Sequence, residues 1–299
     1  MMERSLWMDP RKFLDITSLL YSNRKEDSIK SDFGRTLIIA GSRKYPLCTI
    51  IASSCCFASA NGYTALSVPD DIYSSIVARM NPTQIMEPLQ NREDCFLKDQ
   101  DLSFLNRYDS ILFGNGVLDR EENQGFLANL IRAYSGHLVI DATGITLLSR
   151  KPEILDGKNP DSRILFTPHL KEASFLLKTE KTGRNPQDFL PDTMDFCRKH
   201  QVDILLKSSQ SIYVNREGNY EESTYKPTVN LAKAGSGDGL AGYIAGILAY
   251  APKKIGYDES VIYADHMIHV AAYQALQEIG VTSSILDVPG YIFRIAKGK

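Results

Sequence analysis

Short apolar runs alternate with longer amphipathic segments along most of the chain. A run of strand type at 36–40 ends in a glycine turn, and a small-residue helix predicted over 47–60 leads into a second strand at 63–68. The same order recurs further along. Strands are predicted at 110–113, 137–141, 163–167 and 203–207, and helices at 121–134, 171–178 and 188–200.

The last third of the chain changes character. A polar turn at 216–219 between 211–215 and 221–225 predicts a hairpin, and helices are predicted over 237–250, 257–279 and 283–295. Strands that alternate with helices predict an α/β fold with a mainly parallel sheet between helix layers, here as one domain over 33–299. Residues 1–32 precede this pattern, and apolar positions at helical spacing predict an N-terminal helical appendage there.

Polar residues and glycines follow five of the predicted strands. Because the carboxyl ends of parallel strands meet at one edge of a sheet, these positions should converge on a single site. They are Gly41-Ser42, Gly114-Asn115-Gly116, Asp141, Thr167-Pro168-His169 and Lys207.

The glycine-rich turn at 235–238 opens the next helix. Gly235 and Gly237 allow the backbone to turn sharply, and the unpaired amides of a helix N-terminus favour an anion such as a transferring phosphoryl group. Asp238 can accept the proton of an attacking hydroxyl. The alternative is an ordinary turn with Asp238 as a helix cap. The helix behind it is small and apolar, with Gly242 and Gly246, so we expect deep burial, which favours a ligand at its charged end.

Composition narrows the class of partner. The chain has 299 residues, 43% of them hydrophobic and 23% charged, and a net charge of −2, which gives no reason to expect nucleic acid or a membrane as partner. The N-terminus lacks a signal-peptide pattern, and apolar runs of membrane-spanning length are absent. The five cysteines form no Cys-x-x-Cys pair, which favours buried thiols and a cytoplasmic location.

Several motifs carry a specific resemblance. The segment 234–242 resembles the glycine-Asp signature of the ribokinase-like fold, and roughly 34–296 is similar to the ADP/ATP-dependent NAD(P)H-hydrate dehydratases. The supporting segments follow the family's order: Ala-Gly-Ser-Arg-Lys-Tyr at 40–45, Gly-Asn-Gly at 114–116, Asp-Ala at 141–142, Thr-Pro-His-Leu-Lys-Glu at 167–172 and Lys-Ser-Ser-Gln-Ser at 207–211.

The resemblance implies a three-layer α/β/α ribokinase-like fold and a repair reaction. ADP or ATP, with Mg²⁺, would phosphorylate the ring hydroxyl of (S)-NADH or NADPH hydrate (NADHX or NADPHX), and phosphate would then be eliminated. A homo-oligomer, either a tetramer or a dimer, is also implied. The implied roles are Asp238 as catalytic base, Gly235, Ser236, Gly237, Lys207, Ser208, Ser209, Gln210 and Ser211 for nucleotide and phosphate, and Gly116, His169 and Asp238 for substrate. Glu172 is a candidate metal contact, with a helix N-terminal charge as the alternative.

Some positions depart from the family pattern. Leu47 and Cys48 replace a Gly-Ala pair, Asn115 a proline, Thr143 an acid and Ser208 a glycine, which suggests altered substrate preference or reduced activity. Two alternatives therefore stay open: a different small-molecule kinase of this fold, for a vitamin precursor or sugar, and a catalytically impaired nucleotide-binding homologue.

The sequence also leaves the roles of other polar residues open. Asp141 could act in catalysis or cap the following turn. His266 and His269 are predicted to be structural or on the surface, because further zinc ligands are not evident nearby.

Overall fold

A computed structural model describes residues 8–22, 24–223, 225–226 and 228–298. Its main sheet has the order β11-β10-β9-β8-β7-β6-β1-β2-β3, and β4 and β5 form a separate pair. The strands are β1 Arg35–Ile39, β2 Tyr63–Ser67, β3 Ile85–Met86, β4 Asn91–Arg92, β5 Cys95–Phe96, β6 Ser110–Phe113, β7 His137–Ile140, β8 Arg163–Phe166, β9 Asp203–Leu206, β10 Ile212–Val214 and β11 Tyr220–Glu222.

Within the main sheet of the described residues, strand pairing is parallel from β9 across to β3, and β10 and β11 run antiparallel to their neighbours. The central strands carry continuous apolar runs because both faces of a parallel sheet are covered by helices. Ile38, Leu112, Val139 and Leu165 belong to the core on one face, and neighbours such as Ile111 belong to the core on the other. The predicted hairpin is present as β10 and β11, with shorter strands than expected.

Helices lie on both faces of this sheet. They are α1 Pro10–Thr17, α2 Cys48–Ala58, α3 Tyr73–Val77, α4 Glu121–Ala133, α5 Thr143–Arg150, α6 Leu170–Leu176, α7 Leu190–His200, α8 Ser236–Leu248, α9 Pro252–Ile255, α10 Tyr257–Ile279 and α11 Val288–Ala296. Short 3-10 helices lie at Lys30–Phe33, Asp70–Ile72, Ser103–Arg107, Pro152–Gly157, Pro186–Phe189 and Val229–Leu231. Among the helices described, none combines the length and apolar character needed to cross a membrane.

Two differences from the sequence prediction have local causes. Helix α5 was not predicted; it follows the residue Ala142, whose backbone takes φ 48° and ψ −122°, a conformation that few non-glycine residues adopt. Helix α11 begins at 288 and not at 283, because Asp287 accepts hydrogen bonds from the amide and hydroxyl of Ser284 in a turn that precedes it.

Helix α8 is at the centre of one helix layer. Every residue from 239 to 248 is buried, which confirms the predicted burial. Two glycines allow α8 to pack closely on α2: a Cβ on Gly242 would lie 2.1 Å from the Ala52 carbonyl oxygen, and one on Gly246 would lie 2.2 Å from Ser59 Oγ. This packing fixes the N-terminus of α8 beside the carboxyl ends of the strands.

The N-terminal segment is helical over residues 10–22 and packs into the same core as α8. Phe13, Ile16 and Leu20 are buried there. Two hydroxyl contacts join the segment to the main body: Thr17 Oγ1 lies 3.1 Å from the Tyr263 hydroxyl, and the Tyr21 hydroxyl lies 2.7 Å from that of Tyr243. The segment therefore contributes directly to the stability of the helix layer that holds α8.

Candidate active site

The N-terminus of α8 is open to a ligand. Gly235 precedes it with φ 91°, a conformation that favours glycine, and no side chain caps the helix. In the described part of the chain, the amides of Gly237 and Asp238 have no hydrogen-bond partner, and the buried hydroxyl of Ser236 has none either. The helix dipole and these free donors together favour an anion.

Asp238 lies in the first turn of α8 and is half-buried. Its Oδ1 accepts a hydrogen bond of 2.7 Å from Asn115 Nδ2. Burial raises the pKa of Asp238 above its ordinary value and the charge of Asp141 adds to the rise, although hydrogen bonds from Asn115 and Cys48 and the charge of Lys207 oppose it. A raised carboxyl pKa suits a group that accepts a proton near neutral pH.

A buried ion pair lies beside this carboxylate. Asp141, 1% exposed, accepts hydrogen bonds from Lys207 Nζ at 2.6 Å and from Thr167 Oγ1 at 2.9 Å. Burial lowers the pKa of Lys207, but the charges of Asp141 and Glu172 outweigh it, so that the pKa is raised and Lys207 stays a cation. Lys207 also faces the glycine turn, because a Cβ on Gly237 would lie 3.2 Å from Nζ.

The geometry excludes one of the two roles left open for Asp141, the capping role. The amide of Gly144 at the start of α5 bonds to the backbone oxygen of Asp141, at 2.9 Å, while the side-chain oxygens bond to site residues. The carboxylate of Asp141 therefore faces the site and does not cap the following turn.

His169 and Glu172 form the N-terminal cap of α6. The His169 amide donates to Glu172 Oε2 at 2.9 Å, and the Glu172 amide donates to His169 Nδ1 at 3.2 Å. Burial raises the pKa of Glu172, which the charge of Lys207 opposes. This geometry matches the helix N-terminal alternative for Glu172. Its role as a metal contact stays a prediction.

A cleft of about 660 Å³ opens between the end of β9, the 3-10 helix Val229–Leu231 and the start of α8. The nucleotide candidates Gln210 and Gly235 lie outside its lining, and Ser211 contributes little surface because it is 1% exposed, with Oγ 2.8 Å from the Tyr225 hydroxyl. The predicted site residues that line the cleft are His169, Lys207, Ser208, Ser209, Ser211, Ser236 and Gly237.

The predicted substrate residue Gly116 lies outside the lining of this cleft, as Asp238 does. Its φ is 68°, and a Cβ there would lie 2.7 Å from the Tyr45 carbonyl oxygen and 3.2 Å from the Cβ of Cys48. Burial, followed by the charge of Asp238 and a hydrogen bond to it, raises the pKa of the Cys48 thiol to about 12. Leu47, one of the departures from the family pattern, is 51% exposed. Gly116, Cys48 and Asp238 are thus neighbours.

Of the two histidines on α10, His269 is buried and His266 is partly buried. His269 Nδ1 lies 2.7 Å from Thr228 Oγ1, and its ring stacks on Tyr225 with centroids 3.6 Å apart. The described residues contain no group of three or more His, Cys, Asp or Glu side chains placed to hold a metal ion. The contacts of His269 are those of a structural histidine, and the absence of a zinc role for the two residues stays a prediction.

Sequence reasoning undervalued two residues at the centre of this arrangement. Asn115 was expected at the site only as part of a strand-end turn and as the loss of a proline, yet its amide touches both Asp141 and Asp238. Thr167 was expected there only as part of a strand-end motif, yet it holds Asp141. The strand-end position of each residue indicated the site but not the partner of its side chain.

A parallel sheet, an uncapped glycine turn and a carboxylate beside a lysine define a ribokinase-like, nucleotide-dependent class of protein. A solved structure of this fold, the ADP/ATP-dependent NAD(P)H-hydrate dehydratase of Bacillus subtilis co-crystallised with ATP and Mg²⁺, aligns with TM-score 0.78 and 19% identity over 100% of this chain and 99% of that one. The family model for NAD(P)H-hydrate dehydratase matches residues 36–292, so the chain belongs to that family.

Two curated relatives agree with the family. The ADP-dependent (S)-NAD(P)H-hydrate dehydratase of Staphylococcus aureus is 28% identical over 77% of this chain and 78% of its own length. The bifunctional NAD(P)H-hydrate repair enzyme of Thermofilum pendens is 25% identical over 80% of this chain, which spans only 45% of that protein. The predicted fold, family and dehydratase class of enzyme are confirmed, and the alternative of another kinase of the fold is not supported.

Proposed function

We propose that this chain restores NADH or NADPH from the (S)-hydrate with ADP or ATP as phosphate donor, and that Asp238 is its catalytic base. One observation carries the assignment of residues: a carboxylate of raised pKa lies in the first turn of an uncapped helix, next to free amides and a lysine cation. Free amides suit the oxygens of a transferring phosphoryl group, and the carboxylate suits the proton of its acceptor.

The lining of the cleft favours one orientation of a nucleotide. It combines the polar residues Lys207, Ser236 and Gly237 with apolar side chains such as Leu240 and Ile268. The terminal phosphate of ADP or ATP would point towards the turn, and the base would lie against the apolar wall. Ser208 and Ser209 would reach the phosphate or ribose, and Ser211 and Gln210 would support that loop.

The proposed reaction has two stages. Asp238 accepts the proton of the ring hydroxyl while that oxygen bonds to phosphorus and the bond to the nucleotide's leaving oxygen breaks. The carbon–oxygen bond then breaks and phosphate leaves with its electron pair, supported by the lone pair of the ring nitrogen. Loss of a proton from the adjacent carbon restores the double bond. Gly116 and His169 would contact the hydrated ring.

The proposed metal is Mg²⁺ bound mainly through the nucleotide. Because the described part of the chain offers no cluster of three metal-binding side chains, the protein provides no cage of its own. Mg²⁺ commonly uses one or two carboxylates together with substrate phosphates and water, and Glu172, whose neighbours include Asp141 and Lys207, can supply one such carboxylate. When bound, the ion would neutralise charge on the phosphates.

Turnover of the hydrate tests this proposal directly. Purified protein is mixed with (S)-NADH hydrate or (S)-NADPH hydrate, Mg²⁺ and either ADP or ATP, and the return of absorbance at 340 nm is followed. We expect recovery only with nucleotide, and none when Asp238 is replaced by Asn. No recovery with any pair of hydrate and nucleotide would refute the proposal. Light scattering measures the predicted dimer or tetramer in the same samples.

A further inference from the structure

A single buried amide joins the two acidic side chains of the site. Asn115 is 0% exposed, and its Nδ2 donates to Asp141 Oδ2 at 2.8 Å and to Asp238 Oδ1 at 2.7 Å. Both hydrogens of the amide are therefore used, one on each carboxylate. Carboxylates in their ionised form can only accept hydrogen bonds, so the nitrogen of Asn115 is the end that faces them.

The loop that carries Asn115 is fixed on both sides. The Gly41 amide donates to the backbone oxygen of Asn115 at 2.8 Å, and Ser42 Oγ donates to the backbone oxygen of Gly116 at 2.7 Å. A Cβ on Gly114 would lie 2.1 Å from the backbone oxygen of Asp141, so this loop is packed directly on the end of β7. The Asn115 amide is thus held in place before any ligand binds.

We infer that Asn115 is a positioning residue for the reaction: its amide holds Asp238 in its ionised form, offsets the repulsion from Asp141, and leaves the rest of the Asp238 carboxylate to meet the substrate hydroxyl. The inference rests on the proposed role of Asp238 as base. Asn115 touches neither substrate nor nucleotide, because it is fully buried. The residue that departs from the family's proline would then have a role particular to this chain.

Other charged and titratable groups also face Asp238 and act on its pKa. Cys48 reaches it from α2, Asp141 from the end of β7, and Lys207 from the end of β9. Glu172 from α6 faces Lys207 and Asp141 in turn. Loss of the Asn115 amide would leave Asp141 repelling Asp238, with only Cys48 and Lys207 opposing it, so the pKa of Asp238 should rise.

Asn115→Leu removes the amide at similar volume. A hydrogen bond to a charged group is strong enough to move a pKa by roughly one to two units. We expect the acid limb of the kcat–pH profile to move up by that amount, so that kcat measured on the acid limb itself falls about 10-fold to 100-fold. The nucleotide dissociation constant should stay within about threefold, because the free amides of α8 are untouched.

Asn123→Leu is the matched control. Asn123 is equally buried, and its amide and carbonyl are bonded to Leu118 and Phe96 on the far side of the sheet. The Asn123→Leu variant should lose stability, as Asn115→Leu does, but the acid limb of its kcat–pH profile should stay in place. If both variants lower kcat alike and leave the acid limb in place, the effect is structural and the inference fails.

Wild-type protein gives a test that needs no folded variant. The side-chain amide resonances of Asn115 in ¹⁵N-labelled protein should titrate with the same apparent pKa as the acid limb of kcat. A flat titration overturns the inference even if Asn115→Leu does not fold. Full activity in Asp238→Asn would refute the role of Asp238 as base. If Asp238→Asn is inactive but Asn115→Leu leaves the acid limb unshifted, only the role of Asn115 is refuted.

Discussion

Asp238→Asn should lower activity and raise stability at the same time. The substitution keeps the shape of the side chain and leaves an oxygen to accept the 2.7 Å hydrogen bond from Asn115 Nδ2, so the turn at 235–238 should stay intact. It removes the group that accepts the substrate proton. Loss of a general base lowers kcat by a factor on the order of 10²–10⁴, which is about 2.7–5.5 kcal/mol of transition-state stabilisation.

The stability change has the opposite sign because folding raises the pKa of Asp238 from its ordinary value of 3.8. The folded state then binds the proton more tightly than the unfolded state. Stability therefore falls as pH rises from near 3.8 through the folded pKa, and at neutral pH that stabilisation is absent. An amide has no charge to bury, so Asp238→Asn should melt at a higher temperature than the wild type above this pH window.

The assay combines kcat for hydrate turnover with melting curves at pH 4 and pH 8. Asp101→Asn is a matched control: Asp101 is fully exposed, and a hydrogen bond from the Ser103 amide lowers its pKa. This control should keep full activity and gain no stability. Unchanged kcat in Asp238→Asn would remove Asp238 from the mechanism, and a lower melting temperature at pH 8 would contradict the burial argument.

Three further predictions concern the cation, the turn and the buried thiols. Lys207→Met leaves Asp141 without its 2.6 Å partner, so it should cost about 3–5 kcal/mol in denaturant unfolding and weaken nucleotide binding in calorimetry. Unchanged values of both would refute the pairing. Gly237→Ala places a Cβ 3.2 Å from Lys207 Nζ, so the nucleotide dissociation constant should rise about tenfold with little change in melting temperature. Unchanged affinity would show that the phosphate does not bind at this turn. Burial raises the pKa of Cys55 to about 12 and of Cys56 to about 11. Iodoacetamide should therefore leave both thiols unmodified in native protein at pH 8 and label them in denaturant. Rapid labelling of native protein, detected by mass spectrometry, would contradict this prediction.

The sequence alone determined the order of the strands and helices. It also placed the glycine turn at 235–238 and the candidate base Asp238 at the start of a helix. Apolar runs without polar interruption predicted strands covered on both faces, and β1, β6, β7, β8 and β9 follow that prediction. The small residues of α8 predicted its burial. Glycine destabilises a helix interior, so Gly242 and Gly246 indicated that another element packs closely there. The glycine turn and Asp238 could be found because the signal is local: a few adjacent residues define both the backbone shape and the acid.

Only the tertiary structure decided which polar side chains meet. The bonds from Asn115 to Asp141 and Asp238 join residues 26 and 123 positions apart, and the capping role of Glu172 depends on the orientation of one short helix. Short elements such as β3 were also not predicted, because two-residue strands carry too few positions for a periodic pattern. Hydrophobic periodicity is a property of adjacent residues, whereas hydrogen bonds between strand ends depend on how the whole sheet is ordered.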